Sequence, residues 1–426
     1  MFHETSAHPM DIQKKLPLLA HLSPQEFMQR HWQKKPLLIR QAIPGFQAPV
    51  SRTALFDLAA QEAVESRLIV QALTGKPVTK SMAKPKVNLP ARASAVSAWQ
   101  LSHGPFARRA LPPLTQKQWT LLVQGVDTHH PAVHQLLQQF RFVPDARLDD
   151  VMVSFATEGG GVGPHFDSYD VFLLQAQGRR RWRIGQQKDF SLCEDVPLKI
   201  LANFEHEEEF VLEPGDMLYL PPRYAHDGVA LDECMTYSIG FRAPDSRRLG
   251  LELMQLMVDE MQEDLEDEAS HPTAKALNNP AKTLYRDPRQ LAVEGPAAVP
   301  ASLLAFAAEA VEKAMQQAHS LPRLLGESLT EPKPKTWFEA AEVPAVLRRV
   351  ELDRGTRMMY DALHVFINGE SYRAAGKDAT LMRKLADERA LSARDVGRAS
   401  EAAHDLLFSW CDAGWVHGFA DNQVPP

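Results

Sequence analysis

Cysteine is scarce in this sequence: Cys193, Cys234 and Cys411 stand far apart in a chain of 426 residues. No two of them form a C-x-x-C pair, which excludes a disulfide framework or a cysteine zinc site and fits a reducing compartment. Long apolar runs are missing too, since none approaches the roughly 18 residues that a membrane span needs. The first fifteen residues, MFHETSAHPMDIQKK, lack the basic start and apolar stretch of a secretory signal. Nor is there a surplus of positive charge: at a formal net charge of −7 the chain has no general attraction for phosphate backbones. No internal repeat is evident. What remains, with 44% hydrophobic and 24% charged residues, is the composition of a soluble globular protein, expected in the cytoplasm. Its length predicts two or three domains.

Residues 1 to about 100 mix short helical and strand-like pieces. Ser23-Pro24-Gln25-Glu26 predicts a helix start, with Ser23 as N-cap and Glu26 closing a capping box. Residues 35–40 read as a short strand ended by Pro44-Gly45, and the lysine- and proline-rich stretch 79–91 as an exposed loop. From about Leu148 strands dominate, at 150–156, 169–175, 179–184, 217–220 and 235–241, punctuated by Gly178 and by Glu213-Pro214-Gly215-Asp216. That rhythm predicts a double-sheet jelly roll or a barrel. After Pro244 helix takes over. Leu253, Met257, Met261 and Leu265 recur every four residues along one predicted stripe, in a segment that also carries Glu252, Asp259, Glu260, Glu263, Asp264, Glu266, Asp267 and Glu268. The stripe predicts burial against a second subunit, and the acidic run is a solvated face or a steering field for a basic partner. A second helix is expected at 301–318 and a linker at 331–335. A small unit follows, with strands at 350–352 and 364–367 and helices from about Thr380 and at 400–413. The class is therefore α+β, with domains at 1–243, 244–335 and 336–426.

The densest chemical signal is Gly159-Gly160-Gly161-Val162-Gly163-Pro164-His165-Phe166-Asp167. On a strand, side chains alternate faces, so His165 and Asp167 would point the same way and share one metal ion. Alone, H-x-D is weak. A second half follows 59 residues after Asp167, where a turn at Pro214-Gly215, a strand and Pro221-Pro222-Arg223-Tyr224-Ala225 lead to His226. Two histidines and one carboxylate make a facial triad with three adjacent positions left open. A bidentate 2-oxo acid fills two and dioxygen the third. No Gly-Lys-Ser/Thr follows the glycines, so they are not a phosphate loop; they read as a flexible lip beside the metal.

A 2-oxo acid with a distal carboxylate needs a cation deep in the barrel. In Gly178-Arg179-Arg180-Arg181-Trp182-Arg183, alternation puts Arg180 on one face with Trp182 and Ile184, and the other arginines opposite. The apolar face points inward, so Arg180 would be buried and would need a carboxylate partner. Ser154 and Ser238, on strands bounding the site, each offer a hydroxyl to the same carboxylate.

With these residues placed, the chain resembles the JmjC oxygenases, and among them the bacterial ribosomal oxygenases that hydroxylate an arginine of a large-subunit ribosomal protein. The resemblance lies in 31–40 (HWQKKPLLIR), 164–172 (PHFDSYDVF), 178–182 (GRRRW) and 221–226 (PPRYAH). It implies a JmjC/cupin double-stranded β-helix, a helical dimerisation region and a winged-helix-like C-terminal domain. It makes His165, Asp167 and His226 the ligands of iron(II). Arg180 becomes the clamp on 2-oxoglutarate, helped by Ser154 and Ser238, with dioxygen as the other cosubstrate. Glu158, on the glycine stretch, falls where the family holds the substrate guanidinium with an acid. The bacterial enzymes often have aspartate there, so the substrate geometry differs by one methylene. The implied activity is hydroxylation at C3 of an arginine in the sixteenth large-subunit protein, by a homodimer.

Rival readings remain. One is a metal cupin that uses no 2-oxoglutarate, though such sites commonly carry His-x-His where this chain has His165 and Asp167. Another is demethylation or a different protein hydroxylation at the same kind of centre. A DNA-binding winged helix fits poorly, because Lys and Arg number 11 against 14 Asp and Glu from Trp337 onward, a net of −3.

Overall fold

The computed structural model describes residues 10–72, 98–270, 284–292, 295, 297–317, 321–340 and 343–420. The expected loop at 79–91 lies outside them. Chain contacts divide the molecule into two compact units. The first holds residues 1–243, 333–356 and 387–426, and the second 244–332 and 357–386.

The first unit is built on β1 (Leu37–Ile39), β2 (Ser66–Ala72), β3 (Ala98–His103), β4 (Trp119–Val123), β5 (Leu148–Ala156) and β6 (Val171–Gln177). It continues with β7 (Arg180–Gly185), β8 (Glu208–Leu212), β9 (Met217–Leu220), β10 (Ala225–Ala230) and β11 (Cys234–Phe241). They form an eight-stranded sheet in the order β1-β9-β6-β11-β5-β4-β2-β3 and a three-stranded sheet β10-β7-β8. Every pairing in the two sheets is antiparallel. This is the expected jelly roll.

Alternation decides what each face does. On β5, Val151, Val153 and Phe155 enter the main core, together with Leu121 and Val123 of β4 and Leu68 of β2. The opposite face of β5 carries Asp150, Met152 and Ser154. Between the sheets a smaller apolar cluster joins Val171, Leu173, Leu218 and Leu220 to Trp182, Ile184 and Leu212.

The main core is covered on its far side by short helices. Among them are α1 (Pro24–Arg30) and α2 (Arg52–Leu58), followed later by α3 (Val126–His129) and α4 (Pro131–Gln138). Helix α1 starts as expected. The Glu26 N–H donates to Ser23 Oγ at 3.1 Å and the Ser23 N–H to Glu26 Oε2 at 2.9 Å, satisfying two otherwise unpaired donors. Behind it, Trp32 stacks on Tyr219, whose hydroxyl donates to the fully buried Asp170 at 2.6 Å, while Gln33 Nε2 donates to the same carboxylate at 3.1 Å. That network ties the N-terminal segment to the sheet just after the H-x-D stretch.

The second unit contains α5 (Ser246–Ser270), α6 (Ala301–Gln317), α7 (Leu321–Thr330) and a small sheet of β13 (Met358–Tyr360), β14 (His364–Ile367) and β15 (Glu370–Arg373). Most of α8 (Gly376–Glu388) belongs here as well. The remaining C-terminal pieces lie in the first unit. They are β12 (Arg349–Leu352), β16 (Ala390–Leu391) and β17 (Val416–Phe419) in one sheet, with α9 (Ala393–Val396) and α10 (Glu401–Asp412). Of the expected stripe on α5, Leu253 and Met257 are half-buried and Met261 is 39% exposed, while the Leu265 side chain lies outside the described residues. Leu251, Met254 and Val258 are 66%, 55% and 55% exposed. Glu252 and Glu260 accept hydrogen bonds from Ser328 and Arg323 of α7.

Candidate active site

His165 and Asp167 do not lie on a strand. They sit in a loop that touches β10 through one isolated bridge, in which His165 and His226 exchange both backbone hydrogen bonds, at 2.9 and 2.8 Å. Strand alternation therefore does not aim the two side chains; the bridge does. It brings ligand atoms of His165, Asp167 and His226 within 4.8 Å of one another, with the imidazole centroids 4.2 Å apart and His226 Nε2 3.7 Å from Asp167 Oδ2.

The protonation state is arranged by the backbone. His165 Nδ1 lies 2.8 Å from the Gly163 carbonyl and His226 Nδ1 3.0 Å from that of Tyr224, so each Nδ1 is the donor and each Nε2 keeps its lone pair. Burial, with His165 alongside, pushes the His226 imidazole down to about 4. It is neutral near pH 7, the form that binds a metal. Two imidazoles and a carboxylate around one point suit iron(II) with open coordination positions.

The glycine run is not a loose lip. A Cβ on Gly160 would stand 2.5 Å from the Trp119 carbonyl oxygen, and one on Gly161 2.6 Å from that of Gly228. A Cβ on Gly228 would meet the Trp182 ring at 2.6 Å. The Gly159 N–H donates to the Ala230 carbonyl at 2.8 Å and the Ala230 N–H to that of Gly160 at 2.9 Å, stitching the run to β10. Close backbone approach is what requires glycine here.

Arg180 points inward with Trp182 and Ile184, at 5% exposure. Its Nη1 donates to Ser154 Oγ at 3.3 Å, and its guanidinium lies 5.6 Å from the centroid of the Trp182 ring. Among the described residues, Nε and Nη2 are buried with no hydrogen-bond partner. A buried cation with orphaned donors is a receptor for an anion. Ser154 and Arg180 are thus brought together. Ser238 shares the inner face of β11, opposite Met152 and Leu173 and one step along from Thr236, which pairs with Ser154. Glu158 is not drawn in. Its side chain is exposed and forms an ion pair with Lys117 at 2.6 Å.

One further residue of the inner face went unread in the sequence: Arg67 on β2. The alternation of Leu68 and Val70 with Arg67, Ile69 and Gln71 is the signal that could have found Arg67.

Comparison with known proteins follows the same lines. Residues 135–249 match the model of a JmjC domain and residues 309–417 that of a ROXA-like winged helix. Over 225 residues the chain is 41% identical to the ribosomal protein uL16 3-hydroxylase of Escherichia coli, covering 53% of this chain and 54% of that protein. The structure of E. coli YcfD, a ribosomal oxygenase, in complex with cobalt and succinic acid matches at 30% identity with a TM-score of 0.69, over 92% of this chain and 97% of that one. The complex with cobalt and 2-oxoglutarate matches at 28% identity, with the same TM-score and coverage. The chain belongs to the JmjC ribosomal oxygenases. Alignments to the first two curated relatives of this ribosomal oxygenase span about half their length, 54% and 52%. None of its described helices is long and apolar enough to cross a membrane.

Proposed function

We propose that this ribosomal oxygenase is an iron(II)- and 2-oxoglutarate-dependent protein hydroxylase that modifies C3 of an arginine in ribosomal protein uL16. The observation that carries the reading is Arg180: a buried guanidinium with two orphaned donors, on the inner face that also holds His226. In this reading His165, Asp167 and His226 hold the iron. Arg180 grips the far carboxylate of 2-oxoglutarate, with Ser154 and Ser238 as hydroxyl donors. Iron(II), once bound with 2-oxoglutarate and dioxygen, supplies the oxidising power that inserts one oxygen atom into a C–H bond.

The chain's own contribution is order and exclusion. The Gly163 and Tyr224 carbonyls fix the imidazole tautomers, and Trp182 and Ile184 keep water from the cosubstrate end. Glu158 leaves Lys117 to take the substrate guanidinium, an exchange of one cation for another. That uL16 is the substrate is supported by the E. coli relative's name and by the acidic stretch of α5, which favours a basic partner. We assign the oxygenase to 1–243, a dimer-forming helical region to 244–335 and a winged-helix-like domain to 336–426. The protein acts in the cytoplasm as a homodimer and does not bind DNA directly.

The test is intact-mass spectrometry of ribosomal proteins from cells with and without this gene. One oxygen gained by uL16 in the gene's presence is expected; an unchanged uL16 mass rejects the substrate.

A further inference from the structure

Arg67 stands opposite the cosubstrate end of the cleft. On β2 it pairs with Leu122 of β4, Leu122 pairs with Ser154 of β5, and Ser154 takes Nη1 of Arg180. Residues directly opposed in antiparallel strands share a face, so Arg67 lies in the same inner row as Ser154. Two strand spacings separate them, roughly 10 Å. The outer face of these strands is filled by Leu68, Leu121, Val123 and Val153, which leaves the guanidinium no apolar reason to be there.

The side chain is half-buried and has only neutral protein partners. Nη2 lies 3.4 Å from Gln124 Oε1 and 4.0 Å from Met152 Sδ; Arg67 forms no ion pair among the described residues. Its other nitrogens are not among the buried unpartnered atoms, so they remain open to solvent. Behind it the charge is balanced at one remove. Gln124 Nε2 donates to Asp150 Oδ2 at 2.9 Å, and Lys333 Nζ reaches Asp149 at 2.7 Å and Asp150 at 3.5 Å. Gln124 therefore holds Arg67 with its carbonyl and Asp150 with its amide. Its place in the same row as Ser154 turns the guanidinium toward the cleft between the two sheets.

We propose that Arg67 is a substrate-positioning residue, whose free N–H groups take main-chain carbonyl oxygens of the polypeptide laid across the cleft mouth. Because Asp150 already offsets the charge through Gln124, the open donors need acceptors rather than a further carboxylate. The backbone of an extended chain offers acceptors at regular intervals whatever its sequence. Arg180 then serves the cosubstrate and Arg67 the polypeptide, from the same inner face. This rests on the protein-hydroxylase reading above.

The experiment measures hydroxylation of purified uL16 by the full-length protein and its Arg67→Met and Arg67→Lys variants, with calorimetric titration of 2-oxoglutarate into each manganese-loaded protein without oxygen. Loss of a hydrogen bond from a charged donor predicts a KM for uL16 about ten- to a hundredfold higher in Arg67→Met. The affinity for 2-oxoglutarate should stay at the wild-type value, and lysine should recover part of the loss. A second substrate, uL16 with its Asp and Glu residues changed to Asn and Gln, should show the same ratio between wild type and Arg67→Met. If that ratio collapses, Arg67 reads a carboxylate and the main-chain assignment is wrong. An unchanged KM, or a loss of 2-oxoglutarate affinity matching the rise in KM, overturns the proposal outright. A wild type that does not hydroxylate uL16 while binding 2-oxoglutarate rejects the substrate reading, and the proposal falls with it.

Discussion

Among the described residues, Arg180 holds one side-chain hydrogen bond, to Ser154, for a side chain that could make five. The deficit is affordable only if an anion completes it. Methionine at this position keeps much of the bulk and removes the cation, so a carboxylate docking there would be buried without a partner. Losing one member of such a pair costs on the order of 3–5 kcal/mol, roughly a hundred- to several-thousand-fold in affinity. Arg180→Met should therefore lose 2-oxoglutarate in anaerobic titration of the manganese-loaded protein while metal content stays intact, since no ligand has changed. Arg180→Lys should do better, restoring charge without the planar fork. Equal affinities in wild type and Arg180→Met would show that another group holds the cosubstrate. This residue was legible in the sequence because one arginine fell on the apolar side of an alternating strand. Asp170 was not. Its role comes from Gln33 and Tyr219, which lie 137 and 49 residues away along the chain.

Among the elements, β5, β6, β7, β9 and β11 were readable from their apolar runs and the turn residues that mark their ends, whereas β8, with Glu208 and Glu209 exposed, and β10, broken by Asp227 and Gly228, were not. The H-x-D segment was misread for a physical reason. Period-two alternation applies only where a ladder continues, and here the ladder is a single bridge. Helix α5 shows the matching limit of periodicity. The four-residue repeat identified a helix, but the stripe is split, with Leu253 and Met257 half-buried and Met261 exposed beside Leu251, Met254 and Val258. The exposed ridge Leu251, Met254, Val258 and Met261 is the better candidate for the subunit contact. Sedimentation at micromolar concentration should show a dimer, and Met254→Asp with Val258→Asp should give a monomer that still binds manganese. A wild type that sediments as a monomer would remove the idea.

For the molecule as a whole, one carboxylate works against stability at neutral pH. Asp127 is 4% exposed on α3, where burial and the nearby Asp150 push its carboxyl up to about 7, against the hydrogen bond it accepts from the Val151 N–H. A carboxyl raised in the folded state contributes stability that is full below its unfolded value near 3.8 and is lost as pH rises through about 7. Asp127→Asn cannot ionise. Relative to wild type it should therefore gain stability between pH 5 and 8, as urea unfolding at several pH values would register. A constant difference across that range would mean that Asp127 titrates alike in both states. The division of the C-terminal residues between two units is the feature least available to sequence reading. Nothing in the local pattern of 336–426 tells that 357–386 associate with the helical unit while their flanks join the oxygenase.

The bridge between His165 and His226 has a polymer-physical consequence. It closes a loop of 62 residues, from 165 to 226, at the point where the ion would otherwise have to close it. Loop closure of that kind costs entropy that grows only slowly with length. Here folding bears that cost before any metal arrives. An incoming ion meets two histidines already cross-tied, with the Asp167 carboxylate gathered beside them. The centre behaves as a preassembled chelator, so the protein's affinity for its metal is set by donor chemistry and not by the length of chain between the donors.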